Sequence, residues 1–513
     1  MNGAETLVKT LLASGVTTCF ANPGTSEMHF VAALDAHPDM RCVLCLFEGG
    51  ASGAADGYFR MTGQVAATLL HLAPGFGNAF ANLHNARKAH SGVLNIMGDH
   101  ATYHLRYEAP LKGDTMGISN SVSHWTRVSA CAADVATDGA AALQAARSNG
   151  GQIATMILPA NTAWDAASGP SVAPAALALH RPTLAQLDAA LRALREPGAV
   201  LLLDGPGLRD DNPDLAARLA KATGARLMCP YLVARLRRGA GAVRMHRMAY
   251  RIEDNLALLA DVPVMVLCGA TRPAGFFAYP GKPSLPENPD GRIVDLCDAG
   301  MDIGWTLQSL CDAAGVGDLG PEQRTALALP DMPTGAMSLP KLGQATAALL
   351  PEDAIVVDEG ISSSRFFTGP LMTARGHDVL AITGGAIGFG LPCAVGAAIA
   401  CPDRKVVVLQ GDGSAMYTLQ SLWTMAREGL DVCVILLANR GYQILRDELT
   451  AVGATPGRNS ARMFDVENPA LDWVALANGH GVPATRVTNI DQFVATFAPA
   501  MATKGPSLIE VIL

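Results

Sequence analysis

Charge is scarce in this chain. Only 16% of its 513 residues are Asp, Glu, Lys or Arg, and the formal net charge is −8. Sparse charge with acid in excess offers no general attraction to nucleic acid or to an acidic lipid surface. Long hydrophobic runs are missing too: no uncharged apolar span reaches 18 residues, which argues against a membrane-crossing helix. The opening MNGAETLVKTLLASG carries Glu5 and Lys9, so it reads as a first helix and not as a signal peptide. There is no pair of CxxC motifs at zinc spacing among the 11 cysteines. Cys42, Cys45, Cys268 and Cys433 sit inside apolar runs, and Cys42 and Cys45, three apart on an expected strand, should face opposite sides. Reduced, buried thiols in a cytoplasmic protein are the expectation.

What the chain does have is apolar bulk and glycine: half of its residues are hydrophobic and 52 are Gly. That composition suits α/β folds with large cores and tight strand–helix turns. Two proline-rich passages, Ala166 to Thr183 and Gly320 to Pro340, read as linkers. They divide the chain into domains expected at residues 1–165, 184–320 and 340–513. Runs such as VAATLLHL, VLNIMG, IATMILP, AVLLLDG, VPVMVLCG, KVVVLQGDG and VCVILLAN are apolar on both faces. They predict doubly wound parallel sheets covered by helices, one per domain. The first and third segments echo one another, since the stretches from Glu48 and from Thr383 both run as Gly-Gly-Ala turn, helix, strand, glycine-containing loop, helix, strand.

Two places carry acids that need a reason. CVLCLFEGG reads as a buried strand ending on Glu48, and a carboxylate there is costly unless something meets it. KVVVLQ runs into GDGSAMYTLQSLWTMAREG, where Met416, Leu419, Trp423 and Ala426 recur at helical spacing. Gly411, Asp412 and Gly413 then lie where a strand ends and a helix begins, a place whose N–H groups and dipole favour phosphate. Asp412 opposes a bare phosphate unless a hard cation such as Mg²⁺ bridges the two. Asn439, 27 residues further on, and the carbonyl of Gly441 would complete three protein ligands.

With these motifs in place the chain resembles the thiamine-diphosphate (ThDP) enzymes of the acetolactate synthase, pyruvate oxidase and benzoylformate decarboxylase group. FANPGTSEMHF, FEGGASGAADGYFRMTG and APGFGNAFANLHNARKAHS are similar to that family's pyrimidine-binding domain. TGGAIGFGLPCAVGAA and GDGSAMYTLQSLWTMA are similar to its diphosphate-binding domain. The family's frequent Asn-Asn pair is Ala438-Asn439 here.

The resemblance implies that Glu48 meets N1′ of the aminopyrimidine and that the Gly385 carbonyl accepts from its 4′-amino group. Ile387 is the implied apolar wedge that bends the cofactor. Ser414, Ser362 and Tyr442 join the GDG motif as candidate diphosphate contacts. The local match is nearest benzoylformate decarboxylase, which places Thr25 and His71 in the substrate pocket, His71 as a proton relay. That pattern's second pocket histidine falls near Phe276 or Phe277, so an apolar face replaces it. The implied activity is decarboxylation of a 2-oxo acid to an aldehyde, or transfer of its acyl group to a second carbonyl. Alternatives are a silent ThDP-fold assembly subunit or an FAD-containing synthase or oxidase. Gly205-Pro206-Gly207 gives only a weak nucleotide signature, and Arg272 is the feature that keeps FAD open. The family's split site further implies a homodimer or homotetramer with active sites at subunit interfaces.

Overall fold

The computed structural model describes every residue except Leu319, which falls inside the segment expected as the central domain. The first sheet contains β1 (Thr18–Ala21), β2 (Arg41–Leu44), β3 (Ala66–Leu70), β4 (Val93–Asp99), β5 (Trp125–Val128) and β6 (Ile153–Pro159). All pair in parallel, in the order 2-1-3-4-6-5. The central sheet is also parallel, with β7 (Val200–Leu203), β8 (Arg226–Cys229), β10 (His246–Arg247), β11 (Val264–Cys268) and β12 (Arg292–Cys297) ordered 10-8-7-11-12. The third sheet holds β13 (Ile355–Glu359), β14 (His377–Ala381), β15 (Val406–Gly411), β16 (Val432–Ala438), β17 (Ala484–Val487) and β18 (Ser507–Ile512).

Counted within its own unit, the third sheet has the strand order 2-1-3-4-6-5, identical to the first. The sequence echo is therefore an echo of topology. Equivalent crossovers, the helices Glu48–Thr62 and Gly390–Ala400, pack against each other and join the two units. Their contact is backbone to backbone: a Cβ on Gly57 would lie 2.1 Å from the Cys393 carbonyl oxygen, and one on Gly396 1.9 Å from that of Ala54. Only glycine permits that approach.

The third sheet also recruits β9 (Leu236–Arg238) from the central segment, antiparallel to β14 at its edge. The central segment is thus not self-contained. Arg60 strengthens the same junction from inside. Its guanidinium is fully buried, grips Asp56 through Nε at 2.8 Å and Nη2 at 2.7 Å, and donates to the carbonyls of Ala234 and Ala381. One side chain therefore touches all three segments.

Three expectations change. β2 stops at Leu44, and Glu48 is the first residue of a helix, not the end of a strand. β2 is an edge strand paired with β1 alone, and the ladder closes where the Cys45 N–H donates at 2.9 Å to the carbonyl of Ala21, the last residue of β1. The helix after GDG is broken into Asp412–Ala415 and Ser421–Arg427. The Thr418 hydroxyl in the break donates to the Gly388 carbonyl at 3.0 Å. Finally, Cys42 and Cys131 are exposed, although most of the thiols are buried.

Candidate active site

In an open α/β sheet the crevice lies outside the carboxyl ends of the strands where the order reverses. Here that is between β1 and β3 in the first sheet and between β13 and β15 in the third.

The first crevice gathers Glu27, His71 and Glu48. His71 follows β3 and caps the helix Leu72–Lys88, with Nδ1 2.9 Å from Glu27 Oε2. Glu27 is nearly fully buried, accepts the Gly24 N–H at 2.8 Å and takes the Ser26 hydroxyl at 2.6 Å. Thr25 is exposed in the same turn, Thr25–Glu27. Glu48, 7% exposed, accepts from Asn78 Nδ2 at 2.9 Å through Oε2. Its Oε1 lies beside Gly75, where an added Cβ would be 2.9 Å from that oxygen and 3.1 Å from His71 Cβ. Glu48 and His71 thus converge on one point of the Leu72–Lys88 helix.

The second crevice gathers Asp412, Asn439, Gly441 and Tyr442. Asp412 begins its helix and is buried; Oδ2 accepts the Arg440 N–H at 2.8 Å and Oδ1 the Gly413 N–H at 2.9 Å. Burial still raises its pKa above the ordinary carboxylate value, the N–H donors only partly opposing it. Asp412 has no ion-pair partner among the described residues: the Arg440 guanidinium turns outward to Glu467 at 3.0 Å. The Asn439 amide oxygen accepts the Gly441 N–H at 3.2 Å, and the Tyr442 ring lies against Gly413. Ser362 sits in the turn Ile361–Ser363, which packs against β15 and the helix Gln443–Ala451. The Ser414 hydroxyl turns inward to the Gly411 carbonyl at 3.1 Å.

The loop of Gly385 and Ile387 joins β14 to the helix Gly390–Ala400 and meets the helix Leu72–Lys88, where Asn85 Nδ2 donates to the Ala386 carbonyl at 2.8 Å. Gly385 has φ +73°, and a Cβ there would meet the Phe276 ring at 2.9 Å. Phe276 and Phe277 are exposed and touch edge to face, with ring centroids 5.0 Å apart. The Gly388 carbonyl accepts from Asn82, one helical turn after the Asn78 that holds Glu48. The Gly388, Phe389 and Gly390 N–H groups all donate to Glu359, a buried acid at the end of β13. Gln410 links Glu359 at 3.0 Å to Ser414 at 2.8 Å. Sequence reasoning missed Glu27, Asn78, Glu359 and Gln410. Glu27 has capping-box spacing from Gly24, and Glu359 closes an apolar run as Asp412 nearly does; Asn78 and Gln410 carry no local signal.

The donor set around Asp412 suits a Mg²⁺-bound diphosphate. It offers one carboxylate, one amide oxygen and a loop carbonyl, all hard oxygens, and a buried charge that a cation would relieve. The first crevice presents a buried carboxylate suited to a ring nitrogen.

Comparison with known proteins identifies the family. Residues 1–121 match the family described as "Thiamine pyrophosphate enzyme, N-terminal TPP binding domain". Residues 368–511 match "Thiamine pyrophosphate enzyme, C-terminal TPP binding domain". Benzoylformate decarboxylase of Pseudomonas aeruginosa is 30% identical, over 97% of this chain and 96% of its own. IlvX of Mycobacterium tuberculosis, provisionally named an acetolactate synthase large subunit, is 46% identical over 100% of this chain and 99% of its own. The solved ThDP-dependent 4-hydroxybenzoylformate decarboxylase of Rhodococcus jostii superposes with a TM-score of 0.84 at 26% identity, covering 100% of this chain and 99% of that one. The chain belongs to the thiamine pyrophosphate enzyme family. It is a ThDP-dependent enzyme related to acetolactate synthase and benzoylformate decarboxylase. No helix among the described residues is long and apolar enough to cross a membrane.

Proposed function

We propose that this protein is a Mg²⁺- and ThDP-dependent enzyme that decarboxylates a 2-oxo acid and either releases an aldehyde or passes the acyl group to a second carbonyl. The observation that carries the proposal is Asp412, buried beside Asn439 where β15 and β16 end, with no ion-pair partner among the described residues. Asp412, Asn439 and the Gly441 carbonyl hold the metal. Gly411, Gly413, Ser414, Ser362 and Tyr442 surround the diphosphate. Glu48 would meet the aminopyrimidine, the Gly385 carbonyl would accept from its amino group, and Ile387 would pack against the cofactor. Bound ThDP would supply a nucleophilic carbon and then a sink for the electron pair left behind when the bond to the departing carbon dioxide breaks. Glu48 holds or returns a proton at the ring nitrogen. His71 has Nδ1 engaged by Glu27, which leaves Nε2 to exchange a proton with the reacting substrate, beside Thr25.

The pyrimidine half of one copy and the diphosphate half of another make each site, so the working form is a homodimer or homotetramer. Met28, Leu46 and Tyr417, exposed beside Glu27, Glu48 and the GDG loop, provide apolar surface for that contact. The enzyme works in the cytoplasm. An FAD-containing variant is the weaker reading. Arg272 is tied at the surface to Glu287, and the crevice between the first and central units, lined by residues such as His90, Thr271 and Asp298, measures about 420 Å³.

The test is direct. Purified protein given ThDP, Mg²⁺ and a panel of aliphatic and aromatic 2-oxo acids, with and without added aldehyde, releases CO₂ and forms aldehyde or 2-hydroxy ketone. Absence of ThDP binding by calorimetry with Mg²⁺ present turns the assignment toward a silent assembly subunit. Flavin absorbance in the purified protein favours the oxidase-type reading.

A further inference from the structure

The helix Gln443–Ala451 starts directly after Tyr442, the residue packed on Gly413, and carries Glu448 away from the GDG loop. Glu448 is clamped by two phenols of the central segment: Tyr250 donates to Oε1 at 2.8 Å and Tyr279 to Oε2 at 3.0 Å. The Tyr250 ring lies 5.3 Å from that of Phe276, and Phe276 is the ring set against Gly385. An unbroken set of contacts therefore leads from the Gly385 loop through an aromatic face to a fixed carboxylate. Both hydrogen-bonded partners are neutral. Burial and the adjoining carboxylate push both phenols upward, so neither cancels the charge of Glu448.

We propose that Glu448 is a specificity-determining residue, a charge filter on the acyl side of the 2-oxo acid. Phe276 offers a flat apolar acyl group a face to lie on. Glu448 repels an acyl chain that ends in a second carboxylate, in a partly desolvated place where like charges are poorly screened. The substrate class is thus 2-oxo monoacids with a flat apolar acyl group, and 2-oxo diacids are excluded. The inference rests on the proposed ThDP site, because Gly385 marks the position of the reacting group only in that reading.

The test compares the holoenzyme with its Glu448→Gln and Tyr279→Phe variants on benzoylformate and on 2-oxoglutarate. Calorimetric ThDP binding is measured first, and its absence from the wild type defeats the site reading itself, and this inference with it. With ThDP bound, the wild type prefers benzoylformate. Glu448→Gln keeps an acceptor for the phenols, removes the charge and shifts the kcat/KM ratio toward 2-oxoglutarate by at least about tenfold, mainly through KM. Tyr279→Phe leaves the charge in place and shifts that ratio less. Binding of the unreactive phenylacetate and glutarate to each holoenzyme gives a readout without turnover: glutarate gains affinity in Glu448→Gln and phenylacetate does not lose it. An unchanged ratio in Glu448→Gln, or a wild type that accepts the diacid as well as benzoylformate, overturns the proposal.

Discussion

Arg60 and Asp56 show how much can depend on one buried pair. Both side chains are fully excluded from solvent, and the arginine also stacks over Phe389 at 4.6 Å. Arg60→Met leaves Asp56 buried without its counter-charge and should cost about 3–5 kcal/mol of unfolding free energy in a denaturant titration. Removing both charges at once, with Asp56→Leu, should recover part of that loss. Glu48 makes a different kind of prediction. Glu48→Gln keeps the helix start, so ThDP binding should persist, whereas CO₂ release falls by at least about a hundredfold. Unchanged turnover would remove Glu48 from the chemistry. Asp412→Asn separates binding from folding: the unliganded protein is as stable or more so, because a costly buried charge is gone. The stabilisation that ThDP and Mg²⁺ give the wild type, about 2.7 kcal/mol at a hundredfold excess over Kd, should vanish, as read by thermal unfolding.

At the scale of elements, the seam between β9 and β14 has its own pH dependence. His377 opens β14, is fully buried, and donates through Nδ1 to the Arg375 carbonyl at 2.8 Å. Burial, reinforced by the positive charges of Arg238 and Arg237, lowers its pKa from 6.5 to about 4. Because the unfolded chain takes up this proton first, stability is fully present above pH 6.5 and declines as pH falls toward 4. The loss reaches up to about 3 kcal/mol for a shift of this size. His377→Gln should flatten that part of the stability curve. The elements also show what could be read in advance. Seven apolar runs became strands because a parallel sheet buries both faces, and the GDG motif fell at a strand end as its spacing implied. Glu48 was misplaced because the length of an edge strand depends on a partner the local sequence does not name. Arg60 was invisible for the same reason: the carbonyls it holds lie 174 and 321 residues away.

For the molecule as a whole, the proposed association predicts that ThDP loading and subunit association rise together. Dilution followed by sedimentation should show cofactor released as the oligomer separates, and a monomer that retains full ThDP affinity would refute the split site. The strand order shared by the first and third sheets also puts their equivalent crossover helices face to face, so Gly57→Leu or Gly396→Leu should loosen the two units together and not one alone. The recruited strand β9 has a practical result for anyone cutting this chain. A fragment beginning near residue 340 would contain every strand of its sheet but that one, leaving β14 with a row of unpaired N–H and C=O groups open to any passing extended chain. Such a piece should precipitate or form ribbons, while the same piece supplied with a peptide spanning Leu236–Arg238 should stay dispersed. On the ribosome the order is kinder, because the covering strand is made before the edge it protects.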